Sequence, residues 1–166
     1  MTPSAVAHAC PPSLSISQRY AATPAAVFAA WVHPALARRW WFAAAGRALA
    51  QATLEARPGG ALLLRDRHRG RTTEHRGTFR AVDPPARLAL TLVLPEMPGV
   101  ATEVDVRIGP QSRGCRVTLV HAGVPPAAIA AIEVRWLGAL YGLGETLAAL
   151  AEARAAAGGR GIEHAG

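Results

Sequence analysis

Residues 129–150 read IAAIEVRWLGALYGLGETLAAL. Within this stretch Ile129, Ile132, Trp136, Leu140, Leu143, Leu147 and Leu150 step by three and four, which places them along one face of an α-helix. The pattern extends over residues 125–157, about six turns or more of helix, and is the strongest helical signal in the chain. One apolar stripe of that length needs an apolar surface of matching length to cover it. The preceding residues must supply that surface.

From about residue 47 to residue 122 the punctuation is that of a β-meander. Pro58-Gly59-Gly60, Gly70, Asp83-Pro84-Pro85, Pro95 to Gly99 and Gly109 to Gly114 separate six strand-like runs. Leu88, Leu90, Leu92 and Leu94 share a parity, as do Val104, Val106 and Ile108, and Val117, Leu119 and His121. One apolar and one polar face per strand predicts a single antiparallel sheet packed on one side. Further upstream, SLSISQRY (13–20) alternates and predicts a first strand. Thr23-Pro24 then supplies an N-cap followed by proline at the first helical position. Val27, Phe28, Trp31 and Val32 lie at helical spacing, and Pro34 stops that helix and opens a second, in which Leu36, Ala37, Trp40 and Trp41 share a face.

The expected fold is α+β: a curved antiparallel sheet of seven strands, two short helices after strand 1, and a long C-terminal helix packed across the sheet. The short helices close only one end, so a cavity between sheet and long helix is expected. Residues 1–12 read as a flexible leader, 13–157 as one domain and 158–166 as a flexible tail, with no internal repeat.

A chain of 166 residues can bury a core without disulfide or metal support. No apolar run reaches the length of a bilayer span, and the N-terminus has neither a charged n-region nor an apolar h-region. Cys10 and Cys115 form no disulfide framework. A cytoplasmic protein with no membrane partner is expected. The net charge of +7 derives from 18 arginines, without a single lysine or asparagine, in a chain rich in alanine, glycine and proline. A GC-rich coding sequence produces that composition, so part of the basicity is codon bias. The most basic run, RDRHRGRTTEHRGTFR (65–80), reads as a hairpin with Arg65, Arg67, Arg69 and Arg71 on a solvated face. It lacks the interleaved aromatics of a single-strand binder and has no reading helix, so nucleic acid is not expected as a partner.

Only nine residues are Phe, Trp or Tyr, yet three stand together in Arg39-Trp40-Trp41-Phe42. Large rings supply both core packing and pocket wall; at this closed end one ring of the Trp40–Trp41 pair is expected in the core and the other at a pocket rim. His75 shares parity with Phe79, and His121 with Val117 and Leu119, so both point to the apolar side. Each has two readings: an acid–base group with its ordinary pKa near neutrality, or a structural histidine satisfied by a neighbour. His75 and His121 are therefore the catalytic candidates. No His or Cys pair stands at metal-ligand spacing, the His8-x-Cys10 pair has no second half, and neither a nucleophile elbow nor a phosphate-binding glycine loop is present. No metal and no cofactor is expected. Gly138 and Gly142 fall off the core stripe of the long helix, beside Val134, Tyr141 and Glu145. They reflect either approach of a second copy or compositional drift, so a monomer or a weak homodimer is expected.

The order of elements, together with particular words, resembles the START-related helix-grip superfamily (SRPBCC proteins), in the branch called activator of heat-shock-protein-90 ATPase homologue-like. The words are TPAAVFAAW (23–31), His33-Pro34, Arg39-Trp40-Trp41, Arg57-Pro58-Gly59-Gly60, Gly77-Thr78-Phe79-Arg80, DPPARL (83–88), RVTLVHAGVP (116–125) and Trp136. The resemblance spans roughly residues 13–150 and implies a hydrophobic pocket between sheet and C-terminal helix. It departs at His33, where the family has a small capping residue, and at Phe42-Ala43, where it has a proline. Phe42-Ala43-Ala44-Ala45-Gly46 is expected to reshape the entrance. The expected function is binding of a small hydrophobic, aromatic or polycyclic, ligand by Trp40, Trp41, His75, Phe79, Leu90, Leu92, His121, Trp136 and Leu140. The alternatives are a cyclase/dehydratase- or hydrolase-like enzyme using a cavity histidine, and a chaperone-linked interaction module acting through its outer surface. Replacing His75 or His121 by Gln separates the first two: binding weakens modestly in one and turnover is abolished in the other.

Overall fold

The structure, a computed structural model, describes residues 11–43 and 47–159. Most of the expected leader, with His8 and Cys10, lies outside the described residues, as do Ala44, Ala45, Gly46 and residues 160–166. Strand β1 (Ser13–Tyr20) leads into helices α1 (Pro24–Val32) and α2 (Pro34–Ala37). Six strands follow: β2 (Gln51–Leu54), β3 (Ala61–His68), β4 (Arg71–Asp83), β5 (Arg87–Val93), β6 (Ala101–Pro110) and β7 (Cys115–Ala122). A 3-10 turn (Pro126–Ala128) then opens α3 (Ile129–Gly159).

The seven strands form one antiparallel sheet in the order β1-β7-β6-β5-β4-β3-β2. The first strand therefore closes the meander against the last. Alternation along each strand is the reason the sheet has one dry face: Leu88, Leu90, Leu92 and Leu94 on or just after β5, and Val117, Leu119 and His121 on β7, are all buried. On that face lie Ile132, Trp136, Leu140, Leu143 and Leu147 of α3. Burying side chains of this size contributes about 1.5–3 kcal/mol each, so the sheet–α3 seam is a substantial source of stability.

Thr23 caps α1 as expected, its hydroxyl accepting from the Ala26 N–H at 3.2 Å. Helix α2 is shorter than its apolar spacing suggests. It ends at Ala37, and Trp40 and Trp41 stand in the turns that follow, held by their N–H groups to the Ala37 carbonyl. Helix α3 differs from expectation in another way. Pro126–Gly159 is long and apolar enough to span a bilayer by length and composition, although no apolar run of that length was expected. Alanines together with Val134 and Leu137 on its outer side raise the hydropathy, while its bulky stripe is buried on the sheet.

Gly142 also finds a local explanation. A Cβ there would come to 3.4 Å from Cβ of Trp40, so this turn of α3 touches the segment after α2 and does not face open solvent. Gly138 meets nothing within 4 Å and lies with exposed Val134, Leu137 and Tyr141. In the basic hairpin, Arg65 is drawn in by Glu74 (2.7 Å) and Gln51 (2.9 Å), whereas Arg67, Arg69 and Arg71 are exposed.

Candidate functional site

The closed end of the sheet–α3 seam holds all four tryptophans of the chain. Trp40 and Trp41 stack with centroids 5.5 Å apart and planes 6° from parallel. Trp31 of α1 meets both edge-on, at 4.7 and 4.9 Å, and lies 6.2 Å from Trp136 of α3. Offset and edge-to-face packing of this kind suits the quadrupoles of the rings. Trp40 also donates its indole N–H to the Ala30 carbonyl at 3.0 Å. The indole N–H groups of Trp31 and Trp41 are buried without a partner.

His121 sits in the middle of a chain of hydrogen bonds. Trp136 Nε1–H donates to its Nδ1 at 3.0 Å, its Nε2 lies 2.7 Å from the Thr102 hydroxyl, and that hydroxyl donates to the Leu92 carbonyl at 2.7 Å. Because the indole can only donate, His121 Nδ1 accepts and Nε2 carries the proton. Both nitrogens are thus committed to the protein. Burial holds the imidazole neutral, its pKa lowered to about 4.

His75 is the opposite case. It is 5% exposed, and neither ring nitrogen has a partner. Its pKa is likewise lowered to about 4, first by burial and then by the positive charge of Arg135, with Glu96 and Asp66 acting in the other direction. Its ring stacks on Phe42, centroids 4.6 Å apart and planes at 29°. Phe42 touches Trp136 as well, at 4.7 Å, and lies under the Arg135 guanidinium at 5.9 Å. Arg135 is paired with Glu96.

Beyond Phe42 a groove of about 880 Å3 opens along α3. Its wall includes Trp40, Phe42, Arg39, Arg47, Arg135 and Tyr141. Arg47 is tied across it to Asp66 at 3.2 Å. Of the three guanidinium groups in this wall, those of Arg47 and Arg135 are paired with carboxylates, and beside its aromatic floor the groove is amphipathic.

The nine side chains expected to bind a ligand are all buried, and the seven apolar ones belong to one core cluster. Trp31, Trp41, Phe79, Leu92 and Trp136 belong to the same buried core cluster, in which Trp31 meets both Trp41 and Trp136. Of the expected set, Trp40 reaches the groove, Trp41 belongs to the core, and His121 and Trp136 hold each other. Leu90 lines a second, smaller hollow of about 220 Å3 with Arg80, Arg87, Glu103 and Asp105. Four relevant residues were absent from the expected set: Phe42, Thr102, Trp31 and Arg135. Thr102 carried a signal, being a hydroxyl at the inward parity of Val104 and Val106. Arg135 carried none, since an arginine on a helix flank is ordinarily solvated. Among the described residues no cluster of three or more His, Cys, Asp or Glu is placed to hold a metal ion.

A one-sided seven-stranded sheet gripping a long C-terminal helix, with two short helices and an aromatic cluster at one end, defines a helix-grip protein of the START-like α+β class. Residues 21–152 match the family described as Activator of Hsp90 ATPase homolog 1-like protein, and the chain belongs to that family. Among solved structures, a protein from Rhodobacter sphaeroides is 27% identical, with a TM-score of 0.73 over 83% of this chain and 93% of that one. CalU16 from Micromonospora echinospora is 26% identical, with a TM-score of 0.64 over 81% of this chain and 75% of that one. The AHSA1-like protein from Aeromonas hydrophila shares the fold at 22% identity, with a TM-score of 0.69 over 93% and 98% of the two chains. No curated protein matches the chain.

Proposed function

We propose that this protein binds a small, largely apolar molecule, aromatic or polycyclic, between the sheet and α3, reached from the groove beside Phe42. One observation carries the reading. Buried polar atoms are nearly always hydrogen-bonded, yet Trp31 Nε1, Trp41 Nε1 and both nitrogens of His75 are buried here without partners. All belong to the ring cluster behind the groove. A ligand that brings hydrogen-bonding atoms into that cluster would satisfy groups whose isolation costs about 1–3 kcal/mol each. The helix-grip fold supports the same reading, because its sheet–helix seam is suited to apolar ligands.

All four tryptophans lie in the cluster, so intrinsic fluorescence reports on it directly. Titration with 2-naphthol and with 1-anilinonaphthalene-8-sulfonate should give saturable quenching at micromolar concentrations and a rise in melting temperature. Quenching that stays linear with both probes, with no change in melting temperature, would exclude the reading.

A further inference from the structure

Phe42 closes the aromatic run Arg39-Trp40-Trp41-Phe42, and its backbone is left-handed, with φ of +57°. A bulky residue rarely adopts that region, because its Cβ crowds the backbone. The conformation delivers a phenyl ring into a slot. One wall is His75 of β4, stacked at 4.6 Å; the others are Trp136 and Arg135 of α3, at 4.7 and 5.9 Å. The walls therefore stand on a strand and a helix, while the ring between them stands in a turn. Phe42 is half-buried and lines the groove with its other side. It fits the slot by shape, and it offers the buried imidazole of His75 no hydrogen bond.

We propose that the slot formed by His75, Trp136 and Arg135 is the recognition site for one ring of the ligand, and that Phe42 occupies it as a stand-in. The ligand class is a planar, uncharged aryl compound bearing a hydroxyl or carbonyl group on the ring edge. The inference rests on the binding function proposed above and specifies its chemistry. A neutral imidazole has one N–H to donate and one lone pair to accept with, so a phenol or an aryl ketone pairs with it and a hydrocarbon does not. The Arg135 guanidinium attracts the ring face, but its charge is engaged by Glu96 at 3.0 Å, so it does not call for an anion. Exchange of a phenyl ring for an aryl ligand keeps the stacking and adds the missing bond. It also lets residue 42 leave its strained backbone state.

Phe42→Gly tests the slot, because glycine adopts positive φ without strain and the substitution removes only the stand-in ring. The probes are p-cresol and its hydrocarbon counterpart p-xylene, measured by calorimetry or tryptophan fluorescence. The variant should bind p-cresol at least tenfold more tightly than the parent protein does, and prefer it to p-xylene at least fivefold. Adding His75→Phe should abolish that preference while p-xylene still binds. Should Phe42→Gly lose its near-UV circular dichroism, Phe42→Leu carries the same comparison, since it keeps the wall apolar without a ring. Parent protein that binds 2-naphthol, with no gain for p-cresol or no preference over p-xylene in the variant, overturns the slot and leaves the binding function standing. Absence of binding by parent and variants alike overturns both.

Discussion

Trp136 and His121 hold one another across the seam between α3 and the sheet, the indole N–H donating to the imidazole Nδ1 over 3.0 Å. The bond does more than fill two valences. It fixes the tautomer of His121, and so leaves Nε2–H to donate to the Thr102 hydroxyl, which in turn donates to the Leu92 carbonyl. One chain of donors thus ties α3 to three adjacent strands, β7, β6 and β5.

Thr102→Val keeps the shape of the side chain and removes the middle link. It should destabilise the protein by about 1–3 kcal/mol, because it leaves the buried Nε2–H of His121 without an acceptor. Urea unfolding at neutral pH measures this. A change within about 0.5 kcal/mol, the range of ordinary surface substitutions, would mean that the chain is not a structural element.

Two buried neutral histidines also make stability depend on pH. Both are lowered from 6.5 to about 4, His121 by burial and His75 by burial together with Arg135, opposed by Glu96 and Asp66. The unfolded chain takes up protons below pH 6.5 and the folded chain does not until near 4, so stability is complete above 6.5 and declines as pH falls between the two. Each histidine contributes a slope of about 1.4 kcal/mol per pH unit in that window. His75→Phe should remove about half of the combined slope. At pH 7 it should cost little, since it replaces two unpartnered nitrogens by carbon and keeps a flat ring against Phe42. Unfolding curves at several pH values between 4 and 7.5 check both statements; a slope that His75→Phe leaves intact would mean that His75 is not held neutral.

Legibility in the sequence follows what is periodic and what is not. The seven strands, their inward parity and the stripe of α3 were all readable, because burial on one side of a strand or helix writes a period of 2 or 3.6 into the chain. The inward direction of His75 and His121 followed from the same rule, whereas Trp40 and Trp41, read as part of a helical face, are buried from the turns after α2. The relation between the two histidines did not follow from that rule. Their partners, Trp136 and Thr102 for one and Phe42 for the other, come from other elements and are set by packing, which no periodicity records. The packing of the four tryptophans on one another is a further case, since spacing along the chain does not specify which ring faces meet. The departure at Phe42 was visible, whereas its left-handed backbone and its place on His75 were not.

Tyr20 ties the first strand to the last helix. Its hydroxyl donates to the Leu140 carbonyl at 2.7 Å, and burial pushes the phenol above its ordinary pKa. Tyr20→Phe should lower stability by about 0.5–1.5 kcal/mol and raise hydrogen exchange of the amides in the middle of α3. Unchanged exchange there, with stability preserved, would show that apolar packing alone holds β1 to α3.

Gly138 gives the last prediction, and it separates a helix defect from an interface. The residue lies in the exposed middle of α3, where an added Cβ meets nothing within 4 Å, between Val134 and Tyr141, which are 70% and 71% exposed. Glycine at such a position costs about 1 kcal/mol relative to alanine, and here no φ requirement and no close neighbour offsets that cost. Gly138→Ala should therefore stabilise the protein by about 0.5–1 kcal/mol, with the same gain at every protein concentration. The contrast is Gly142→Ala, whose Cβ would touch Trp40 at 3.4 Å and which should gain less. Thermal unfolding over a hundredfold range of concentration tests both. A Gly138→Ala protein that is less stable than its parent only at high concentration would show that a second copy covers this strip, and that the glycine is there to let it approach.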